Sequence, residues 1–478
     1  MNLVTKKIIT VAVCSSIFYA GCKVPALMQS PEIKIVPSSF EKNSDTSNNS
    51  ATVQWKQFFA DKYLASLIDT ALKNNQDLEI TLQEIAIAHN EISSRQGAIL
   101  PRVETGAGIG VEKVGRYTSQ GAGDASTDIK PGRAVPDWLP DYRLGVFANW
   151  EVDVWKKLRN SKKAAVSRYL ATVEGKNFLV TNLVAEIANN YYELLALDNQ
   201  LDIVKQTIRL QQNALDIVRI QKQAAAANEL AVKKFEAEVL SSQGLEFDIR
   251  QRITAKENAL NYLLGRYPQT VARDTTGILN IQPTPVATGI PSQLLKNRPD
   301  IKQAELELQA AKLDVTIART AFYPSFNISA SLGFQAFTPG YLVKLPASLI
   351  SSLVGDVAGP LINKAAIKAD YNNANARQVQ AIYNYEKTIL NAYVEVSTEL
   401  SNLKNQEQLF ALKLKQVSTL SATIDISNDL FKSARANYLE VLLTQRDALE
   451  AKLQLIETRL NQLNSVTNIY RALGGGWN

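Results

Sequence analysis

Residues 322–337, FYPSFNISASLGFQAF, alternate apolar and polar side chains almost without a break. Side chains of a strand project with period two, so Phe326, Ile328, Ala330, Leu332, Phe334 and Ala336 share one face. Asn327, Ser329, Ser331, Gly333 and Gln335 share the other, which is small and polar. The surrounding chain reads differently. No proline occurs between Pro140 and Pro268 or after Pro360, and because proline breaks helix interiors these gaps leave room for long helices. The stretch 155–225 would reach about 100 Å as one helix at 1.5 Å per residue. Its returning partner, 229–264, and the last helix, 437–473, are shorter. In the last, Leu449, Leu453, Ile456, Leu460 and Leu463 alternate spacings of four and three, a coiled-coil seam. Val180, Val184, Ile187, Tyr191 and Leu194 make a similar stripe. Both are scaffold that packs helices together.

The strand has a counterpart. Residues 71–110 align without gaps on 294–333, pairing Asp77 with Asp300, Pro101 with Pro324 and Gly110 with Gly333 at a constant offset of 223. Further on, AANELAV (226–232) pairs with RANYLEV (435–441), and LLGR (263–266) with ALGG (472–475), at an offset of 209. The first half therefore carries fourteen extra residues, which the Gly-, Pro- and Ser-rich stretch 115–141 accommodates as an exposed turn. The period is far too long for a solenoid, so the chain is a duplicated half. Each half runs helix, strand, loop, strand, long helix, turn, helix. The predicted strands are 102–112 and 142–153 in the first half, 325–337 and 347–358 in the second. The domain reading is 1–21 signal, 22–50 lipidated flexible segment, 51–265 first repeat, 266–293 linker, 294–473 second repeat and 474–478 tail.

Each strand has about the ten residues that a tilted strand needs to cross a bilayer. Four of them leave two open edges, and an open edge is not tolerated in hydrocarbon. The smallest known membrane barrels have about eight strands, so several chains must pool theirs. The apolar face then meets lipid and the small polar face lines a water-filled lumen. A soluble two-sheet sandwich is the alternative, but helices this long offer no compact sheet to pack against.

The N-terminus, MNLVTKKIITVAVCSSIFYAGC, has basic Lys6 and Lys7, an apolar run from Ile8 to Ala20, and then Gly21-Cys22. That is the layout of a secretory signal. Small residues before Cys22 also resemble the bacterial lipoprotein box, with Tyr19 in place of its usual Leu. An ordinary signal peptide cleaved nearby is the alternative. If the box holds, Lys23 after the lipidated cysteine implies sorting to the outer membrane, and loss of Lys6 and Lys7 lowers the formal charge from +6 to +4. Basic and acidic residues are mixed along the helices, which fits a solvated surface better than a nucleic-acid groove. Past residue 21 there is no run of eighteen apolar residues.

With these parts in place the chain resembles the TolC family of outer-membrane efflux channels, more closely its lipidated OprM-like branch. The resemblance rests on the duplicated halves, on LPRVETGAGIG and YPSFNISASLG, on NWEVDVWKKLR (149–159), on RPDIKQAE (298–305), and on RLNQLNSVTNIYRALGGGW (459–477). It implies an α+β membrane protein: a homotrimer in which three sets of four strands close a twelve-stranded barrel above a long α-helical barrel. It also implies a passive conduit in the outer membrane that receives solutes from an inner-membrane pump of the RND type through a periplasmic adaptor. No cofactor is implied beyond the lipid on Cys22.

The turns KQAAAANELAV and KSARANYLEV would be the periplasmic tips. The glycine common in the family's turns is replaced by Ala225 and Ala434, where a left-handed conformation would be strained. Glu440 matches a position where the family often places an acidic ring, while Ala231 and Leu443 stand where other acids are common. A trimer would present three Glu440 carboxylates, and such rings favour cations; a solvated surface carboxylate is the alternative reading. Asn228 and Asn437 are expected to shape the tip.

Catalytic and metal chemistry find little support. His89 is the only histidine, inside a helical pattern of polar neighbours. The terminal LGGGWN lacks the Lys-Ser/Thr of a phosphate loop. Met1 and Met28 are the only methionines, so a methionine-lined metal relay has no basis. Three rivals to an efflux channel stay open: the exit duct of a type I protein-secretion system on the same fold, an exported coiled-coil scaffold without a pore, and a periplasmic hydrolase.

Overall fold

The computed structural model describes residues 37, 39, 40, 49–274, 277–360, 362, 364–433 and 435–477. They divide into two compact units. One comprises Ile87–Tyr169 and Leu306–Ile382; the other takes the described residues of Glu32–Ala86, Leu170–Glu305 and Tyr383–Asn478. In chain order the elements are α1 (Trp55–Phe58), α2 (Lys62–Asn74), α3 (Gln76–Gly97), β1 (Arg102–Glu112), α4 (Ser119–Ser126), β2 (Asp128–Lys130), β3 (Arg133–Ala134) and β4 (Leu139–Glu151). They continue with α5 (Lys157–Gln223), α6 (Glu229–Leu263), α7 (Leu294–Asn297), α8 (Pro299–Thr320), β5 (Ser325–Ala336), β6 (Leu349–Ala358), α9 (Ala365–Lys432) and α10 (Tyr438–Ala472).

In the first unit β1, β4, β5 and β6 form an antiparallel sheet in that order. The register places Trp150 opposite Ile328 and Val146 opposite Leu332 on one face. On the other, Glu151, Asn327 and Asp356 share one row, and Asn149 and Ser329 the next. The polar face is not uniform: Phe147 lies on it, and β6 adds Ile350 and Val354. Gly106, Gly145 and Gly333 fall in a single row across three strands. A Cβ on Gly333 would sit 2.5 Å from the Leu144 carbonyl oxygen, so the neighbouring backbone has taken the place of a side chain. The strand ends joined to helices, at Arg102, Glu151, Ser325 and Ala358, all lie at the same end of the sheet.

Several boundaries differ from the sequence reading. β4 spans Leu139–Glu151 rather than 142–153. Asp153 has left the ladder because its carboxylate accepts from the Leu158 and Arg159 N–H groups, at 2.9 and 3.0 Å, and so caps α5. β6 begins at Leu349, not at 347, because the Ser348 N–H turns back to the Lys344 carbonyl at 3.1 Å. β5 ends at Ala336, one residue early. The stretch 115–141 is not a plain turn but holds α4 and the β2–β3 hairpin. Thr118 caps α4 by accepting from the Gly121 N–H at 3.1 Å. In the segment read as flexible, Phe40 is buried and stacks on Tyr393 at 5.5 Å, and the Ser50 N–H donates to the Ala287 carbonyl at 2.8 Å. The described part of the tail, 474–477, is likewise packed: Trp477 lies against the core, and a Cβ on Gly475 would meet the Tyr470 ring at 2.3 Å.

The second unit is helical with an apolar core. Tyr470 of α10 stacks on Phe58 at 4.0 Å, and its hydroxyl donates to the Val53 carbonyl at 2.6 Å. Tyr191 of α5 is fully buried and donates to Asp61 at 2.6 Å, while the other Asp61 oxygen caps α2 through the Tyr63 and Leu64 N–H groups. Burial, with Asp61 beside it, pushes the Tyr191 phenol far above its usual range. Arg298 donates to both oxygens of Asp300 (3.0 and 2.8 Å), to Glu395 (2.8 Å) and to the Ala472 carbonyl (2.7 Å), so it ties α8, α9 and α10 together. Burial opposes its charge, but the two carboxylates outweigh it and hold the guanidinium above its ordinary value. Within the predicted linker, Arg273 joins Asp198 and Glu257, each at 2.5 Å.

Candidate functional site

Two helix–turn–helix tips carry the residues singled out from the sequence. At the α5–α6 turn the Gln221 carbonyl accepts from the Ala226 N–H at 2.8 Å, which closes the helix end. Ala225 adopts φ 58°, the left-handed region where glycine is usual. Asn228 then caps α6, its Oδ1 accepting from the Ala231 N–H at 2.9 Å. Lys222 pairs with Glu229 across the turn and holds that exposed carboxyl below its ordinary value.

The α9–α10 turn repeats this chemistry. The Leu430 carbonyl accepts from the Arg435 N–H at 2.8 Å, and Asn437 accepts from the Leu439 and Glu440 N–H groups at 2.8 and 3.1 Å. Glu440 thus has its backbone held by the cap and its side chain exposed, in the first turn of α10. An open hollow of about 510 Å³ is lined by residues of both turns, among them Ala225, Asn228, Phe431, Asn437 and Tyr438. Beneath it Ala231 is fully buried with Phe235, Val441 and Leu442. The absence of an acid at Ala231 follows: a carboxylate there would sit in an apolar cluster rather than face water. Leu443 is exposed.

The structure therefore brings Ala225, Asn228, Asn437 and Glu440 to paired tips. Cys22 and Ala434 lie outside the described residues. The Lys222–Glu229 pair was not singled out from the sequence, although a base seven residues before an acid across a turn was a readable signal. His89 is exposed on α3, edge-on to Tyr169 at 5.6 Å.

Comparison with known proteins places the chain. The model of the outer membrane efflux protein family matches residues 67–266 and 290–475. The cation efflux system protein CusC of Escherichia coli O6:H1 is 26% identical over 97% of this chain and 98% of its own length. The probable outer membrane lipoprotein SilC of Salmonella typhimurium is also 26% identical, over 97% of this chain and 98% of its own length. The toluene efflux pump outer membrane protein TtgF of Pseudomonas putida is 27% identical, over 89% and 86%. A crystal structure of CusC superposes with a TM-score of 0.82 at 24% identity, covering 95% of this chain and all of the other.

Proposed function

The chain belongs to the outer membrane efflux protein family, the channels through which efflux pumps discharge across the outer membrane, and from that premise we propose that it works as a homotrimer. Three four-stranded sheets close a twelve-stranded barrel, and solutes pass through it passively. The observation that carries this reading is the sheet itself: it ends in β1 and β6, and its apolar face leaves Ile109 83% and Leu353 78% exposed. An edge and a face of that kind are stable in a membrane only when sister copies close the edge and lipid covers the face.

A periplasmic adaptor would engage the tips and an RND-type pump in the inner membrane would supply the driving force. Cys22 would carry the N-terminal lipid, a reading supported by the lipoprotein name of SilC. Substrate choice is left to the pump, because this chain is equally close to a relative named for cations and to one named for toluene. Three copies of Glu440 would ring the entrance and favour cations.

The test is a planar-bilayer recording on the purified, detergent-solubilised protein. A trimer that conducts ions is the expected result, with cation preference reduced in Glu440→Gln. A non-conducting monomer overturns the channel, and unchanged selectivity in the variant removes Glu440 from the pore.

A further inference from the structure

Where β4 gives way to α5 the sequence reads EVDVWKKLRNSKK, Glu151 to Lys163, with five cations against two carboxylates. Both carboxylates are committed. Glu151 pairs with Lys157 at 2.8 Å; Asp153 faces Arg159 at 3.7 Å and also caps the helix backbone. Lys156, Lys162 and Lys163 have no carboxylate partner among the described residues. The arrangement is costly on two counts. Lys156 takes φ 60°, which side-chain-bearing residues rarely adopt, and α5 has no acid in its first turn to offset these charges.

The neighbouring residues say what offsets them. The apolar face of the sheet is open along its length and ends, on this side, in indoles. Trp150 donates its Nε1–H to the Ile99 carbonyl at 2.9 Å, and Trp155 donates to the Pro324 carbonyl at 2.7 Å while stacking on Tyr323 at 4.9 Å. Both rings remain more than a third exposed. Moving from the sheet toward the helix, the chain thus presents exposed hydrocarbon, then amphipathic aromatics, then unpaired ammonium groups. A phospholipid leaflet presents the complementary order of acyl chain, interface and phosphate.

We propose that Lys156, Lys162 and Lys163, at the strand–helix junction that follows Trp155, form a seat for the phosphate of an anionic phospholipid in the leaflet on the helix side of the sheet. The seat rests on the reading of that sheet as lipid-facing. It makes the junction between strand and long helix a lipid-dependent joint, because the anion neutralises the charges where the backbone is strained.

The experiment uses the full-length trimer in nanodiscs of mixed phosphatidylethanolamine and phosphatidylglycerol, with lipid retained on the protein counted by mass spectrometry after transfer to detergent. Parent protein should enrich phosphatidylglycerol over its bulk fraction by about fivefold for each engaged lysine, and added salt should erode the effect. The variant K156Q/K162Q/K163Q should lose the enrichment, while K156R/K162R/K163R, which keeps charge, should retain it. Equal enrichment in parent and glutamine variant overturns the seat. So does tight retention of inorganic phosphate by trimer in lipid-free detergent, which marks a soluble-anion site. Dissociation of the glutamine variant in neutral detergent also overturns it, because the lysines then face a second copy. Conductance separates this proposal from the channel: a conducting parent without lipid preference sinks the seat alone, and a non-conducting parent sinks the channel.

Discussion

The two helical hairpins, α5–α6 and α9–α10, descend from one duplicated pattern and end in turns of the same chemistry, yet they are held differently. Along α5 the buried residues Leu197 and Val204 cluster with Ile249 of α6, and Leu215 and Val218 with Phe235 and Val239, the two apolar clusters being separated by the buried polar Thr207, Gln211 and Ser242. Between Leu403 and Phe431 of α9, Ser427 is the one buried residue among those described. That stretch is attached to α10 by polar contacts instead. Lys413 donates to Gln454 at 2.6 Å, Gln462 donates to the Gln406 carbonyl at 3.1 Å, and the Arg459 guanidinium lies 3.8 Å over the Phe410 ring. The same stretch leaves Leu409, Leu412 and Ile426 uncovered. Both hairpins leave apolar side chains uncovered, Ile220, Leu240 and Phe247 on the first and Leu412 and Ile426 on the second, so the difference lies in the seam between the two helices of each. A duplicated sequence keeps its turns, which depend on local chemistry, and diverges in its seams, which depend on neighbours.

Buried arginines sharpen the contrast. Arg298 and the half-buried Arg273 each hold two carboxylates, whereas Arg459, 6% exposed, has Gln462 at 3.0 Å and no acid among the described residues. Burial alone pulls its guanidinium below the ordinary value.

The largest expected effect separates the seams. Phe235→Ala should cost about 3–5 kcal/mol of local stability at the tip, as a lost buried aromatic does, read as faster hydrogen exchange of α5 and α6 amides. Phe410→Ala should cost well under that, and equal costs would erase the distinction. Next come the arginines. Arg298→Met should destabilise by about 1–3 kcal/mol because it leaves the half-buried Asp300 carboxylate and the Ala472 carbonyl without their donor, while Glu395 keeps Arg471, whereas Arg459→Met should be neutral or stabilising. Exchange of α8 and α10 amides checks both, and a severe loss in Arg459→Met would mean that the cation has a carboxylate partner in the assembly.

Smaller effects test the shared turns. Ala225→Gly should slow opening of the first tip by roughly 1 kcal/mol through relief of the left-handed strain. A destabilised variant would show that the turn relaxes elsewhere. Last is pH. The Glu229 carboxyl is depressed below 4.5 by Lys222, so its contribution is fully present above the unfolded value and lost as pH falls through the lower folded one. The pair is exposed, so the effect should be small and salt-screened. Protection of the tip amides, taken relative to their intrinsic exchange rate, should fall at acid pH in the parent and change less in Lys222→Gln.

Much of this molecule was legible in the chain. Period-two alternation marked both faces of β5, proline-free stretches marked the long helices, and Asn228 and Asn437 were read as shaping the tips, though their capping role came from the structure. Other features gave weaker signals. Asp153 sits at the end of an alternating run, and only the competing demand of the Leu158 and Arg159 amides draws it out of the strand. The stretch 115–141 has the composition of a turn, but a close local approach at Gly121, where a Cβ would lie 2.1 Å from the Gly115 carbonyl oxygen, lets it fold into a small helix and hairpin.

The amino-acid order by itself determined what short-range sterics and hydrogen bonding decide: which long segments are helix or strand, which side of β5 is apolar, and where the two tip turns fall. Tertiary structure alone decided the strand order, the glycine row where three backbones close together, and which of two similar hairpins is joined by apolar contacts. Those outcomes depend on groups brought together from distant parts of the chain, and no local pattern carries that information.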